Sequence, residues 1–280
     1  MNAEVMRLHA DHERRHWWFM ARRRIVTALV RELVPPSRDR LIADIGCGTG
    51  GTVVALARDY DCIGIDTSPD AIEIARTSFP QCTFLLGDVP DGLGDAVGRA
   101  DLFLLMDVLE HVRDDVALFS GLMAAAKPGA LALITVPADP RLWSSHDLAH
   151  MHYRRYTPEL LEGLWAGLPV TPLLLARLNT RLYPLVRLAR ALGRVGARAA
   201  GPAGTDLSLP LAPLNRLLTA VFAGESAALL RRLRAGAVAA DGRGVSLLAV
   251  VRREAGTLQP RTRTPARAAQ DLHDPERTSS

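Results

Sequence analysis

The sequence predicts an α/β fold: a doubly wound, mostly parallel seven-stranded sheet with a helical cap before it and a helical insertion ahead of its last strand. Three observations predict it. Between residues 41 and 136, short β-rich apolar runs alternate with helical patterns, which is how a parallel sheet covered on both faces is written. The 280 residues, 48% apolar and 23% charged, are enough for one elaborated α/β domain and exclude collagen-like, fully disordered and disulfide-stapled chains. A glycine-rich loop also sits between the first apolar run and the next helix, where open sheets of this kind hold ligands.

The elements follow in order. Residues 1–36 form an N-terminal helical cap: Trp17, Ala21, Ile25, Ala28 and Leu29 recur at three and four, and Pro35-Pro36 ends the helix. Residues 37–178 form the core, with strands at 41–45, 62–65, 82–86, 102–106, 130–136 and 173–178 and helices near 50–58, 69–77 and 114–126. Within it a loop rich in His, Arg and Tyr, 138–156, is expected to lie over the sheet edge as a lid, and Thr157-Pro158-Glu159 caps a further helix. Residues 179–244 are too long for a plain connection and read as a helical insertion, with an arginine-rich helix at 182–198, a Gly/Pro hinge at 201–204 and a second helix at 213–233. Residues 245–254 hold the final, antiparallel strand. From 255 to 280 only Leu258 and Leu272 are large and apolar, so a disordered tail is expected.

Charge and cysteine usage narrow the partners. With 34 Lys+Arg against 30 Asp+Glu the net charge is +4, spread over several segments, so no nucleic-acid partner is expected. Cys47, Cys62 and Cys82 have no zinc or redox spacing, which fits reduced thiols in a cytoplasmic protein; no export signal or membrane span is read. No acidic residue falls between Glu162 and Asp206. In the 182–198 helix, Arg187, Arg190, Arg194 and Arg198 share one face and Leu182, Leu185, Val186, Leu192 and Val195 another. Such a helix suits peripheral contact with the anionic inner face of a membrane, or a lid or dimer contact with its arginines in water; monomer and homodimer both remain open.

The chemistry concentrates at strand ends. Asp44-Ile45-Gly46-Cys47-Gly48-Thr49-Gly50-Gly51 forms a cradle where a ligand can approach the backbone. Twenty residues after Gly46, the second strand ends in Asp66-Thr67, a carboxylate placed for ribose hydroxyls; Ser68-Pro69 supplies the helix cap, leaving Asp66 for the ligand. The third strand ends in Asp88-Val89, and the fourth in Met106-Asp107 followed by Glu110-His111.

At these residues the chain resembles the class I S-adenosylmethionine-dependent methyltransferases, in the small-molecule branch that includes quinone-biosynthesis enzymes. The resemblance covers 41–136 and includes Lys127-Pro128-Gly129, with Ala130 where the family usually has glycine. It implies a Rossmann-like sheet with S-adenosyl-L-methionine as cofactor. It also implies that Gly46, Gly48 and Gly50 line the methionine part, that Asp66 holds the ribose, and that Asp88 and Val89 flank the adenine. Met106, Asp107 and His111 would edge the cofactor and acceptor pocket. Cys47 and Thr67 go with this cofactor site, and Asp44 is placed for the ammonium group. An NAD(P)-dependent oxidoreductase is the competing reading, because Gly46, Gly48 and Gly51 also fit dinucleotide spacing; no second glycine cradle after Val136 supports it. A non-methylating enzyme using the same cofactor is a further alternative.

The expected reaction is methyl transfer to oxygen, nitrogen or carbon of a small, hydrophobic or aromatic metabolite. A protonated nucleophile needs a base, for which His146 with Asp147 as its orienting partner, or His111, is the choice. Trp18, Arg23, Tyr153 and Tyr156 are assigned to the acceptor. No metal is assigned: His146 and His150 stand four apart without an apparent third ligand.

Overall fold

The structure, a computed structural model, describes residues 15–195 and 209–263. The strands are β1 (Ser37–Ile45), β2 (Tyr60–Asp66), β3 (Thr83–Leu86), β4 (Leu102–Met106), β5 (Leu131–Pro137), β6 (Val170–Leu178) and β7 (Ser246–Arg253). They form one sheet in the order β3-β2-β1-β4-β5-β7-β6. All neighbours pair in parallel except β7, which runs antiparallel to both β5 and β6. The chain winds outward from β1 to β3 and then restarts on the other side of β1 with β4, so a crevice opens beyond the C-terminal ends of β1 and β4. Every residue of β4 and β5 is buried, as their almost wholly apolar sequences require when helices cover both faces.

The helices are α1 (Trp17–Leu33), α2 (Gly51–Leu56), α3 (Pro69–Ser78), α4 (Ala96–Arg99), α5 (Asp115–Ala125), α6 (Ser145–Ala149), α7 (Pro158–Glu162), α8 (Tyr183–Val195), α9 (Ala212–Ala223) and α10 (Ser226–Arg234). α1, α2, α3, α9 and α10 pack on one face of the sheet, and α4, α5 and α7 on the other. α1 buries Ala21, Ile25, Val26, Leu29 and Val30, a stripe at helical spacing. α3 starts where the Ser68 side chain accepts the Ala71 N–H and Pro69 fixes the first turn.

Three expectations are corrected here. The helix expected over 213–233 is two helices, α9 and α10, broken at Gly224-Glu225. The buried Glu225 carboxylate accepts the backbone N–H groups of Asn179, Thr180 and Arg181, at 2.8–3.0 Å. The tail is ordered through Arg263. Leu258 is buried, the Arg261 N–H donates to Ser120 Oγ, and the Arg263 guanidinium reaches the buried Asp115 at 2.6 Å. Composition misses this because one ion pair, Arg263 with Asp115, and hydrogen bonds from Arg261 hold the segment alongside a single apolar side chain. In α8 the expected polarity is also altered: Arg190 turns inward to the Leu142 carbonyl, while Leu185 and Leu188 are exposed. Among the described residues no helix is long and apolar enough to cross a membrane. The hinge at 201–204, Arg198, residues 1–14 and the rest of the tail lie outside the described residues.

Candidate active site

The turn after β1 is drawn tight by backbone bonds from the Cys47 N–H to the Ile65 carbonyl and from the Gly50 N–H to the Cys47 carbonyl. Gly46 has φ +65°, and a Cβ there would stand 2.6 Å from Val108 Cγ2. Gly50 has φ +86°, and its Cβ would stand 2.6 Å from the Phe84 ring. Neither position accepts a side chain. Gly48 differs: a Cβ added there meets nothing within 4 Å, so this stretch of backbone faces open space. Cys47 is buried beneath it.

Asp66 closes the cradle, but it is not left idle by the Ser68 cap. Its Oδ2 accepts the Gly48 N–H and its Oδ1 the Ser68 N–H, each at 2.9 Å. A carboxylate has about four acceptor positions, so two remain while the first two fix its direction and tie β2 to the cradle. Thr67 and Asp88 are exposed beside it, with Asp88 Oδ1 accepting the Val89 N–H. Asp44 is buried on the α1 face of the sheet. There its charge, after burial itself, helps push the Cys62 thiol up to about 12.

At the end of β4, Asp107 adopts φ +58° and its N–H donates to the Thr135 carbonyl. Its carboxylate pairs with Arg22, whose guanidinium lies 4.4 Å from the Trp18 ring centroid. Trp18 therefore reaches the rim next to Asp107 through Arg22. The assignment of Arg23 is corrected: one residue further along α1 turns it about 100° away, into a separate groove of about 700 Å³ lined also by Arg24, Arg31, Arg38 and Arg58.

The lid brings four histidines together. His111 and His152 rings stand 4.7 Å apart, edge to face, and His146 and His150 rings 4.3 Å apart. The pairing expected of Asp147 is corrected. Asp147 Oδ1 lies 3.0 Å from His152 Nδ1, not on His146, and the same carboxylate forms an ion pair with Arg155, Nε at 2.8 Å, and accepts the Ser144 N–H at 2.9 Å. The reason is local. Asp147 is the third residue of α6 and turns back to close a capping box with Ser144, which aims it at the loop following the helix rather than at its sequence neighbour. Its His152 and Arg155 contacts outweigh its full burial and hold its carboxyl well below the usual range, hence ionised. His146 and His111 are both pushed down to about 3 by desolvation and neighbouring imidazoles, so both are neutral. His111 nonetheless keeps an edge in solvent.

Two residues to which the sequence reading assigned no role belong here. His152, buried, is the imidazole that Asp147 orients. Glu110 is 1% exposed, its Oε2 has no hydrogen-bond partner, and burial followed by the charge of Asp107 raises its carboxyl well above the ordinary value. Tyr153 lies at the rim, its N–H on the Glu110 carbonyl. Tyr156 is corrected: it is fully buried in the core, its hydroxyl donating to Asp115 at 2.6 Å, and it does not reach the acceptor space.

With this rim described, the comparisons with known proteins take on meaning. The profile of a family described as a methyltransferase domain matches residues 10–168, more than half of the chain. The chain belongs to this methyltransferase family. The domain is of the S-adenosylmethionine-dependent class. The chain is 29% identical over 154 residues to a trans-aconitate 2-methyltransferase of Methylobacterium radiotolerans, covering 54% of this chain and 55% of that protein. It is 33% identical over 108 residues to norajmaline N-methyltransferase of Rauvolfia serpentina, covering 36% and 37%. The chain thus spans about half or less of the length of these relatives. Among solved structures, a geranyl diphosphate C-methyltransferase from Streptomyces coelicolor A3(2), in complex with Mg2+, geranyl diphosphate and S-adenosyl-L-homocysteine, superposes with a TM-score of 0.52 at 16% identity, over 81% of this chain and 78% of that one. That likeness is one of fold.

The residues of the methyltransferase domain fit the cofactor. Space is open along the Gly48 backbone, two glycines are excluded from bearing side chains, and the Asp66 carboxylate retains acceptor capacity toward the same side. Gly46, Cys47, Gly48 and Gly50 would hold its amino-acid end and Asp66 its ribose, with Val89 and the half-exposed Leu86 as apolar surface beside Asp88.

Proposed function

We propose that the chain transfers a methyl group from S-adenosylmethionine to oxygen, nitrogen or carbon of a small, hydrophobic or aromatic acceptor. One observation carries the reading: the glycine cradle with its carboxylate and the cluster of imidazoles occupy the ends of adjacent strands around one crevice. When bound, the cofactor supplies a methyl already activated by a positive sulfur. The chain's task is then to place the nucleophile, and positioning of that kind is worth about 7–11 kcal/mol of barrier. Trp18, stacked under Arg22 at the rim, gives an apolar acceptor a surface to lie on.

His152 handles the acceptor's proton. An ionised, buried Asp147 can only accept hydrogen bonds, so His152 Nδ1 carries a hydrogen, and in the neutral form of the ring Nε2 offers its lone pair. That lone pair accepts a hydrogen bond, or the proton, from an acceptor O–H or N–H. The His111 ring, neutral and edge-on to His152, confines it.

Calorimetric titration with S-adenosylhomocysteine tests the reading. Asp66→Ala is expected to weaken binding at least tenfold, whereas His152→Ala is expected to leave that affinity within about twofold and to lower turnover by ~10²-fold or more with a hydroxyl acceptor. Unchanged affinity in Asp66→Ala overturns the ribose assignment.

A further inference from the structure

We infer that Glu110, His111 and His152 form a site for one divalent ion of the zinc class at the acceptor end of the crevice. The three side chains each offer a ligand atom, and these atoms all lie within 4.8 Å of one another. Donors about 2.0–2.2 Å from a common tetrahedral zinc ion stand ~3.4 Å apart, so side-chain rotations that move the donors by about an ångström close the triangle. Two imidazole nitrogens and one carboxylate oxygen are a donor set that suits zinc and its first-row neighbours, and they leave a fourth position open. Magnesium, which favours oxygen donors, suits it poorly.

The surroundings of each ligand support the same reading. A metal-bound histidine usually passes its other ring N–H to an acceptor that fixes its orientation. His152 meets this through Asp147, which takes Nδ1 and leaves Nε2 for the ion. His111 meets it through the His150 backbone, with which its ring is hydrogen-bonded. Glu110 Oε2 is buried and has no hydrogen-bond partner, an unmet polar atom that a bound ion would satisfy. The exposed edge of His111 gives the ion a way in.

This deepens the reading of the acceptor pocket. With the ion in place, the His152 lone pair serves as a ligand, and an acceptor hydroxyl or carboxylate oxygen takes the open position. A hydroxyl so bound loses its proton to solvent more readily, leaving the oxygen pair free to attack.

The test uses the full chain, dialysed against a chelator, and needs neither cofactor nor acceptor, so its failure leaves methyl transfer standing. Zn2+ is titrated by calorimetry, Co2+ is followed by its visible ligand-field bands, and Mg2+ serves as the comparison. One equivalent of Zn2+ is expected to bind at micromolar or tighter affinity, with Mg2+ at least a hundredfold weaker. Glu110→Gln, which preserves shape, and His152→Ala are each expected to lose at least tenfold in Zn2+ affinity, while the double variant His146→Ala with His150→Ala retains it. Far-ultraviolet circular dichroism confirms that each variant is folded, and should His152→Ala not be, Glu110→Gln alone decides. Absence of stoichiometric binding, or affinity unchanged in Glu110→Gln, or loss confined to the His146 and His150 variant, overturns the assignment.

Discussion

Asp115 and Asp147 are fully buried carboxylates, and each survives burial by gathering cations and hydrogen-bond donors. Asp115 receives the Tyr156 hydroxyl at 2.6 Å, Arg263 at 2.6 Å and Arg154 at 3.3 Å. Removing its charge leaves two buried guanidinium groups uncompensated, so Asp115→Asn is expected to cost about 3–5 kcal/mol in urea unfolding. Tyr156→Phe removes one hydrogen bond from an anion that keeps its arginines. It should cost ~1–3 kcal/mol of stability while leaving turnover within about twofold at saturating substrate. A large loss of turnover with stability intact would restore Tyr156 to the acceptor pocket. The positive φ of Gly46 and its closeness to Val108 set a similar contrast. Gly46→Ala forces a side chain into an occupied, strained position at ~1–3 kcal/mol, and cofactor affinity should fall with it in calorimetry.

At the level of elements, the insertion helices are bound to the cap rather than standing apart. Asn215 on α9 accepts the Trp17 N–H at 2.9 Å and donates to the Arg15 carbonyl at 2.8 Å, so one amide closes the first turn of α1. Trp17 also meets Phe222 edge to face, and Arg234 on α10 pairs with Glu32. Asn215→Ala is expected to loosen the end of α1 that carries Trp18 and Arg22. Global stability should fall by only about 1 kcal/mol, but amide hydrogen exchange over 17–22 should quicken markedly; unchanged protection there would show that packing alone seats the helix. The choice between Arg22 and Arg23 belongs to this level too. The helix was legible in the sequence from Trp17, Ala21, Ile25 and Leu29, yet the direction of one arginine depends on where α1 crosses the sheet, which no local pattern records.

Across the whole molecule, what was legible was whatever is written in contiguous residues. The apolar runs of β1, β4 and β5 declare themselves because both faces of the sheet are covered, and the cradle from Gly46 to Gly50 with Asp66 is readable because glycine and carboxylate stand at fixed offsets from strand ends. What was not legible depends on partners distant in the chain. Asp147 looks like a partner for His146 until the capping box turns it to His152. Glu110 looks like part of a short turn until β5 and the lid close over it. The order of residues 255–263 rests on Arg263 reaching Asp115, 148 positions away.

The central claim is that one crevice beyond β1 and β4 holds an adenosyl sulfonium compound through backbone and a ribose-binding carboxylate. A crystal structure of the chain soaked with S-adenosylhomocysteine tests it most directly. The account predicts both ribose hydroxyls within hydrogen-bond distance of the Asp66 carboxylate and the homocysteine portion along Gly46–Gly50. Ligand density elsewhere, or a ribose that leaves Asp66 untouched, would contradict it.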